Sequence, residues 1–562
     1  MPTLDWIGKK AVVNHHREVP FHLLKSNDEL SVGDPGGNIV VHGDNLIALK
    51  ALLPYLAGQV NFIFIDPPYN TGNEDWIYND NVNSPEITDW LGKTVGKEME
   101  DLSRHDKWLC MMYPRLRLLK EFLQEDGFIC VQIDDNEAAN LKGIMDDIFL
   151  NINYVTSIYV QVRYLDKTLK RDMQFHKQIE QILIYQKSAK SKPNLKSKEY
   201  KLDKFCWYVT EKAPGKEITL GNKRVIIFQP GEYQIKEGEC SEKGLKEIWA
   251  SGAILDGNSS GRFFRDFLTG RVDEDGLGVV YKVYDIGDDS FDCRYFTGPK
   301  KKNATRGKYY QGVPTSVLSA SIEDQNSDIP IANFYDMAAD FGNCRHEGGV
   351  EFKSGKKPER LISMLMEHFS KKGDLVLDSF AGSATTAAVA HKMGRRWVTV
   401  EMGEHCFSHT LPRLKNVVTG KDKTGISEQF KFEGGGGYSF CEIGTPLFDA
   451  QGHICNTVTF SDLARHVYFI ETGEPLPHAA KSNSPLLNIQ NGTAVYLLYN
   501  GILKDKSPDG GNVLTRALFA LLPEHTGPKV IYGTACKIGP DQRRRDGIVF
   551  KQLPYKLRTG VL

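Results

Sequence analysis

Residues 38–69 read NIVVHGDNLIALKALLPYLAGQVNFIFIDPPY, and this stretch decides the fold class. Residues 38–42 (NIVVH) form a short apolar run that stops at Gly43-Asp44. In residues 45–55 (NLIALKALLPY), Leu46, Leu49, Leu52 and Leu53 fall near helical spacing, and Asn45 is expected to cap the helix. A second apolar run, residues 60–65 (VNFIFI), breaks at Asp66-Pro67-Pro68-Tyr69. Strand, helix, strand predicts one right-handed unit of a parallel sheet, with Asp44 and Asp66 at the carboxyl ends of their strands. In open α/β sheets, ligands bind along that edge.

The pattern continues outward. Leu109, Met112, Leu116, Leu119 and Leu123 form a helical stripe, after which Gly127 turns the chain into residues 128–133 (FICVQI), a buried strand. Residues 179–185 (IEQILIY) read as another strand of the same sheet. Residues 187–204 then carry seven lysines against one Glu and one Asp, a solvated linker or a phosphate-contacting run. The Gly-rich sequence to about residue 345 has short β-like runs at 224–228 and 279–284, as in an inserted β or mixed domain. The strand–helix–strand texture returns at 375–377, 383–392 and 397–400, and the glycines at 434–437 mark a hairpin or hinge. The expected division is an N-terminal segment 1–37, a core half 38–187, an insertion 188–345, a second core half 346–440 and a small α/β domain 441–562.

Composition narrows the function. A chain of 562 residues, 41% hydrophobic and 25% charged, is an ordinary globular protein of about three or four domains. Its net charge of −1 means that any nucleic-acid affinity must come from local basic patches. Ten cysteines without a C-x-x-C pair argue against a zinc ribbon or a dense disulfide framework and fit a reducing cytoplasm. The first ten residues, MPTLDWIGKK, lack a secretory apolar core, and no run approaches the roughly 18 apolar residues of a membrane span. No membrane function is expected.

Two motifs carry chemistry. In Asp66-Pro67-Pro68-Tyr69, two prolines after a buried strand stiffen the turn and remove two backbone donors. The turn therefore offers acceptors, the Asp66 carboxylate and the Pro67 carbonyl, beside the flat face of Tyr69. A planar exocyclic amine needs that set: two acceptors for its hydrogens and an aromatic platform for its ring. The bland alternative is a proline-rich turn closing a core strand. In VLDSFAGSATT (residues 376–386), a strand ends at Asp378 and a loop of small residues leads into a helix, letting backbone approach a cofactor. The glycine pattern of nicotinamide sites is absent. The next strand ends at Glu401, where a nucleoside ribose is normally gripped by its hydroxyls.

Together these motifs resemble the amino-methyltransferases of DNA, with D-P-P-Y as catalytic loop and F-x-G-x-G as AdoMet loop. The order, catalytic motif first with a long insertion before the cofactor motif, resembles the β class. DPPYNTG, FICVQIDDNE (128–137), FAGSATT and RRWVTVEMG (395–403) resemble the Mod subunits of type III restriction–modification systems. The resemblance covers roughly residues 38–187 and 348–438. It implies an AdoMet-dependent, Rossmann-like mixed sheet built from two chain segments, with residues 188–345 as target-recognition domain.

It also implies roles. Asp66 and the Pro67 carbonyl would hold the target N6 amine, Pro68 would stiffen the turn, and Tyr69 would stack on a flipped adenine. Asp378, Phe380, Ala381, Gly382, Ser383, Ala384 and Thr385 match the AdoMet loop, and Glu401 the ribose acid. Lys357-Pro358 resembles the K-P motif near the methionine carboxylate, although Lys357 could equally be a solvated lysine of its KSGKK run. Asp44 matches the acid near the cofactor adenine, with helix capping as its alternative. Ala384 departs from the family, standing where the second glycine usually is; if the position needs positive φ, alanine costs on the order of 1 kcal/mol and weaker AdoMet binding follows. Asn70 and the patch Lys300, Lys301, Lys302, Arg306 and Lys308 beside Tyr309-Tyr310 are expected at the DNA.

The expected reaction is N6-adenine methylation in duplex DNA, with no metal required. The expected partners are double-stranded DNA, a second copy in a homodimer, and a helicase/nuclease or other defence-system subunit, in the bacterial or archaeal cytoplasm with the nucleoid. Cytosine-N4 methylation is the nearest rival, and a DNA-binding specificity subunit with weak catalysis is the other. The chain itself has neither a Walker A loop nor a convincing nuclease motif.

Overall fold

The computed structural model describes residues 4–71, 89, 92–95, 103–165, 175–198, 202–250, 259–302, 306–318, 327–352, 355–449, 451–477, 484–499 and 511–554. Gly72 of the DPPYNTG motif and Lys201 of the lysine run lie outside these residues.

Ten strands form the main sheet: β1 (His22–Gly33), β2 (Ile39–His42), β3 (Val60–Ile65), β4 (Leu123–Ile133), β5 (Tyr154–Gln161), β6 (Ile179–Gln186), β7 (Phe334–Asp336), β8 (Leu375–Asp378), β9 (Arg396–Glu401) and β10 (Gly437–Pro446). Their order is β1-β10-β2-β9-β8-β3-β4-β6-β5-β7. The run from β10 to β4 is parallel, whereas β1 and β6 pair antiparallel to their neighbours β10 and β4. β2 and β3 therefore share a direction but are separated by β8 and β9, which come from the second core segment.

The helices that matter to the site are α1 (Asn45–Leu56), α2 (Arg104–Phe122), α3 (Glu359–Phe369), α4 (Thr385–Lys392) and α5 (Leu411–Val418). Strand side chains alternate between faces, and β3 uses both. Ile63 and Ile65 join Leu49 and Leu52 of α1 and Leu116 and Leu119 of α2 in one core. Phe62, on the opposite face, stacks on Phe369 of α3 with ring centroids 6.4 Å apart. Local chemistry starts the helices: Ser103 and Asp106 make a reciprocal capping box on α2. On α1 it is Asp44, not the expected Asn45, that caps, accepting from the amides of Leu46 (2.9 Å) and Ile47 (3.1 Å).

Residues 195–331 form a separate compact unit, and the large unit comprises 1–194 and 332–562. The separate unit is narrower than the 188–345 expected for an insertion, because β7 already pairs with β5 in the main sheet. The N-terminal segment likewise contributes β1 to that sheet, and residues 441–562 cluster with the large unit rather than apart from it. Within the separate unit, six antiparallel strands run in the order Lys246–Ala250, Gly307–Gln311, Cys293–Thr297, Val280–Tyr284, Lys223–Phe228, Lys216–Leu220. Trp207–Glu211 and Tyr233–Glu237 pair as a two-stranded ribbon. Cys206 and Cys240 are joined by a disulfide, and the other eight cysteines are not disulfide-bonded. Among the described residues, no helix is long and apolar enough to cross a membrane.

Candidate active site

The site is made by strand ends. β8 runs beside β3 with Leu377 opposite Ile63, so Asp378 and Asp66, far apart in the chain, emerge at the same edge. β9 runs beside β2 with Glu401 opposite His42, which brings Glu401 and Asp44 to that edge as well. The cleft there is lined by Asp66, Lys357, Asp378, Phe380, Gly382 and Ser383, among others.

Asp66 has two different oxygens. Its Oδ2 lies 2.6 Å from Lys357 Nζ, while the buried Oδ1 has no hydrogen-bond partner among the described residues. Burial raises its pKa, and the Lys357 ammonium offsets part of that rise. Lys357 is not the solvated lysine of a charged run: its side chain is only 8% exposed. Burial works against its charge, but the Asp66 and Glu180 carboxylates outweigh it and hold the pKa above the usual lysine range.

Tyr69 is held from its hydroxyl end. It donates to Glu180 Oε2 at 2.8 Å, and Gln132 Nε2 donates to the same oxygen at 2.6 Å. Lys357 Nζ stands 4.0 Å from that oxygen and 5.0 Å from the centre of the Tyr69 ring. Burial, then the two carboxylates, push the Tyr69 pKa well up, so the ring presents a neutral phenol. Sequence reasoning misses Glu180 and Gln132. Their only signal is a carboxylate and an amide inside otherwise apolar strands, β6 and β4, which pair antiparallel.

The turn between them is pinned by Pro68, whose carbonyl accepts from Trp108 Nε1 at 2.7 Å, and both prolines are buried. Asn70, expected at the DNA, is turned inward instead. It is 3% exposed, takes positive φ, and donates to Glu137 and to the Arg104 carbonyl. Asparagine tolerates the left-handed region, and here that conformation ties the motif to α2.

The loop after β8 is braced from three sides. Glu401 Oε2 accepts from the Gly382 amide at 2.7 Å and Oε1 from the Gly403 amide at 2.9 Å. Both oxygens of the expected ribose acid are thus engaged within the protein. Asp378 accepts from the Phe380 amide at 2.9 Å, and burial pushes its pKa up to about 7 against the hydrogen bonds of Thr386 and Phe380. Arg413 of α5, also missed by sequence reasoning, donates to the Ser383 carbonyl and hydroxyl and to Thr385 Oγ1 at 2.7 Å. Arg413 is in turn held by Glu359, which also takes Lys392, and Lys392 pairs with Asp422 at 2.6 Å. All four side chains are fully buried.

Asp44, matched to the cofactor adenine, caps α1 with one oxygen and holds Arg115 at 2.8 Å with the other. Asn45 donates to the Ser379 carbonyl, so this end of α1 anchors the loop.

Ala384 is in the left-handed region, at φ 58° and ψ 38°. An L-residue there costs about 1 kcal/mol. The same methyl is fully buried, a gain of about 0.8 kcal/mol that glycine would forfeit, together with about 0.5–1 kcal/mol of added backbone freedom in the unfolded chain. The opposing effects nearly cancel. Ala384→Gly is therefore expected to leave the urea midpoint equivalent to within about 1 kcal/mol; a larger loss would show that methyl packing governs the turn.

In the inserted unit, Lys302 pairs with Asp273 at 3.3 Å and Lys308 with Glu247 at 2.7 Å. Lys300, Lys301 and Arg306 make no ion pair among the described residues. No group of three or more His, Cys, Asp or Glu side chains able to hold a metal ion occurs among the described residues.

Comparison with known proteins agrees with this geometry. The HindVI Mod subunit of Haemophilus influenzae, described as a probable type III restriction-modification enzyme, is 29% identical over 74% of this chain and 55% of its own length. The EcoPI Mod subunit of Escherichia phage P1 is 28% identical over 69% of this chain and 61% of its own. The StyLTI Mod subunit of Salmonella typhimurium is 28% identical over 68% and 55%. The chain thus spans little more than half the length of these relatives. A family model described as DNA methylase matches residues 60–411, a span that holds Asp66, Tyr69, Lys357, Asp378 and Glu401. With the motif carboxylates at adjacent strand ends inside that span, the chain belongs to the DNA methylase family.

Proposed function

We propose that this chain is a site-specific DNA methyltransferase that transfers a methyl group from AdoMet to the N6 amine of an adenine flipped out of duplex DNA. Its relatives are named as Mod subunits, which supports a role as the modification subunit of a restriction or phage-defence system. Double-stranded DNA, a second copy of the chain and a restriction or other defence-system subunit are then its partners, in the cytoplasm of a bacterium or archaeon.

The observation that carries this reading is Asp66 Oδ1, a buried acceptor without a hydrogen-bond partner among the described residues, beside the loop after β8. Left bare, such an oxygen costs about 1–3 kcal/mol, which an incoming amine hydrogen would recover. Asp66 holds that amine, drawing its hydrogens away from the ring plane and keeping its lone pair available. Tyr69, anchored by Glu180, offers the ring face for the extruded base. Lys357 holds the Asp66 carboxylate in place.

The residues present fit AdoMet: Asp378 lines the cleft with a carboxyl that makes no ion pair among the described residues, a setting for a cation, whereas the Asp66 charge is already met by Lys357. When bound, AdoMet supplies an electrophilic methyl carried on a sulfonium. Asp378, Phe380, Ala381, Gly382, Ser383 and Thr385 would hold it; Ser383 and Thr385 are themselves braced by Arg413.

A pH dependence follows. A cationic ligand favours ionised Asp378, whose pKa is raised to about 7 by burial and, to a lesser degree, by the neighbouring Asp66 and Glu401 charges. AdoMet affinity is expected to climb with pH below about 7, by up to about tenfold per unit, and to level off above it. Calorimetric titration between pH 6 and 8 checks this, and Asp378→Asn should flatten the profile.

The reading as a whole is tested by single-molecule sequencing of DNA from cells expressing the chain. N6-methyladenine in one short motif, absent with Asp66→Ala, is expected. N4-methylcytosine would keep the mechanism and overturn the base, and absence of any mark would refute the reaction.

A further inference from the structure

The inserted unit contains a cavity of about 580 Å3, within the range of roughly 300–1,000 Å3 typical of small-ligand clefts. Its walls are aromatic. Trp207 and Tyr233 come from the two-stranded ribbon, and Trp249 and Tyr310 from the six-stranded sheet. Trp249 sits on the edge strand with 66% of its surface exposed, an unusual state for so large an apolar ring.

The charges around the cavity do not balance. Its carboxylate, Glu247, is already taken by Lys308 at 2.7 Å and by the Tyr310 hydroxyl at 2.5 Å. Lys300, Lys301 and Arg306 also line it, and none has an ion-pair partner among the described residues. Lys308 Nζ stands 4.9 Å from the Trp249 ring centre, so the ring already has a cation on it. A concave aromatic wall lined by three cations that pair with no carboxylate among the described residues selects a ligand that is flat at one end and anionic at the other.

We propose that this cavity seats one unpaired nucleotide of a nucleic-acid strand, its base against Trp249 and its phosphate among Lys300, Lys301 and Arg306. Paired and stacked bases show only their edges, so a duplex could use the cations but not the aromatic wall; a free base can use both. The proposal rests on the nucleic-acid reading of the chain but involves none of its catalytic residues. It adds to a basic DNA-contact patch a built pocket for a base outside the helix.

The test uses the full chain and three probes: an eight-nucleotide thymidine strand, a blunt duplex of the same length, and free deoxyadenosine monophosphate. Trp249→Ala should weaken the single strand on the order of tenfold or more while leaving the blunt duplex unchanged. Lys300→Ser with Lys301→Ser should lower the slope of log affinity against log salt by about 0.7 for each phosphate no longer neutralised. Both variants sit at exposed positions and should keep the wild-type circular dichroism spectrum.

Unchanged strand affinity in both would overturn the proposal. Equal weakening of duplex and single strand would overturn it in favour of backbone contact alone. Mononucleotide binding as tight as strand binding, and equally sensitive to Trp249→Ala, would make a free nucleotide the ligand and overturn the strand. Failure here is distinguishable from failure of the enzymatic reading, because methylated-base sequencing reports the catalytic cleft independently.

Discussion

Asp66→Asn is expected to lower the rate of methyl transfer by on the order of 10²–10³-fold, the usual effect of removing one preorganised charge-stabilising group from a closed site. The carboxylate offers the amine an acceptor that an amide matches in shape but not in charge, and the amide nitrogen could turn a donor toward the substrate. AdoMet binding should survive, because the brace of the 378–386 loop runs through Glu401, Arg413 and Glu359 and bypasses Asp66. Asp66→Ala should be as inactive and somewhat less stable, since Lys357 loses a partner at 2.6 Å and keeps Glu180 at 4.0 Å. Single-turnover methylation with labelled AdoMet, beside a binding titration, separates the two effects. Activity within threefold of wild type in either variant would refute the acceptor role.

The second large effect lies behind the site. Glu359 receives Lys392 at 2.7 Å and Arg413 at 2.9 Å, and its Oε2 also accepts from the Ile426 amide. The approach is so close that a Cβ at Gly425 would lie 2.1 Å from that oxygen, and Gly425 has φ +58°. With Asp422 included, the network holds two cations and two carboxylates, and so it is neutral. Among the described residues, Glu359→Ala leaves Lys392 one ion-paired carboxylate and Arg413 none within 4 Å, an imbalance in the interior that costs about 3–5 kcal/mol. We expect an earlier urea transition by near-ultraviolet circular dichroism and a parallel loss of AdoMet affinity, because Arg413 would no longer be steered onto Ser383 and Thr385. Loss of stability with cofactor affinity unchanged would show that the network supports the fold without shaping the loop.

Much of the site is legible in the sequence because its signals are local. An apolar run that ends in Asp-Pro-Pro-Tyr, or in Asp378 followed by small residues, announces a strand end and a loop. The alternation within a strand such as residues 60–65 divides its side chains into two sets, but which set meets α1 and which meets α3 is decided by packing. The departure at Ala384 is equally readable, and the tertiary fold supplies its condition: the residue does adopt positive φ.

What the chain alone determined, then, is the kind of each element and the chemistry at its end, since backbone propensity and hydrophobic period act over a few residues. Only the tertiary structure decided which ends meet. Inserting β8 and β9 between β2 and β3 set Asp378 beside Asp66. Folding α3 back over the sheet brought Lys357 out of its charged run and onto Asp66. Pairing β6 with β4 put Glu180 under Tyr69, and the left-handed backbone at Asn70 goes with its burial against Glu137. Side-chain direction and strand neighbours depend on burial against residues hundreds of positions away, and no local pattern encodes that.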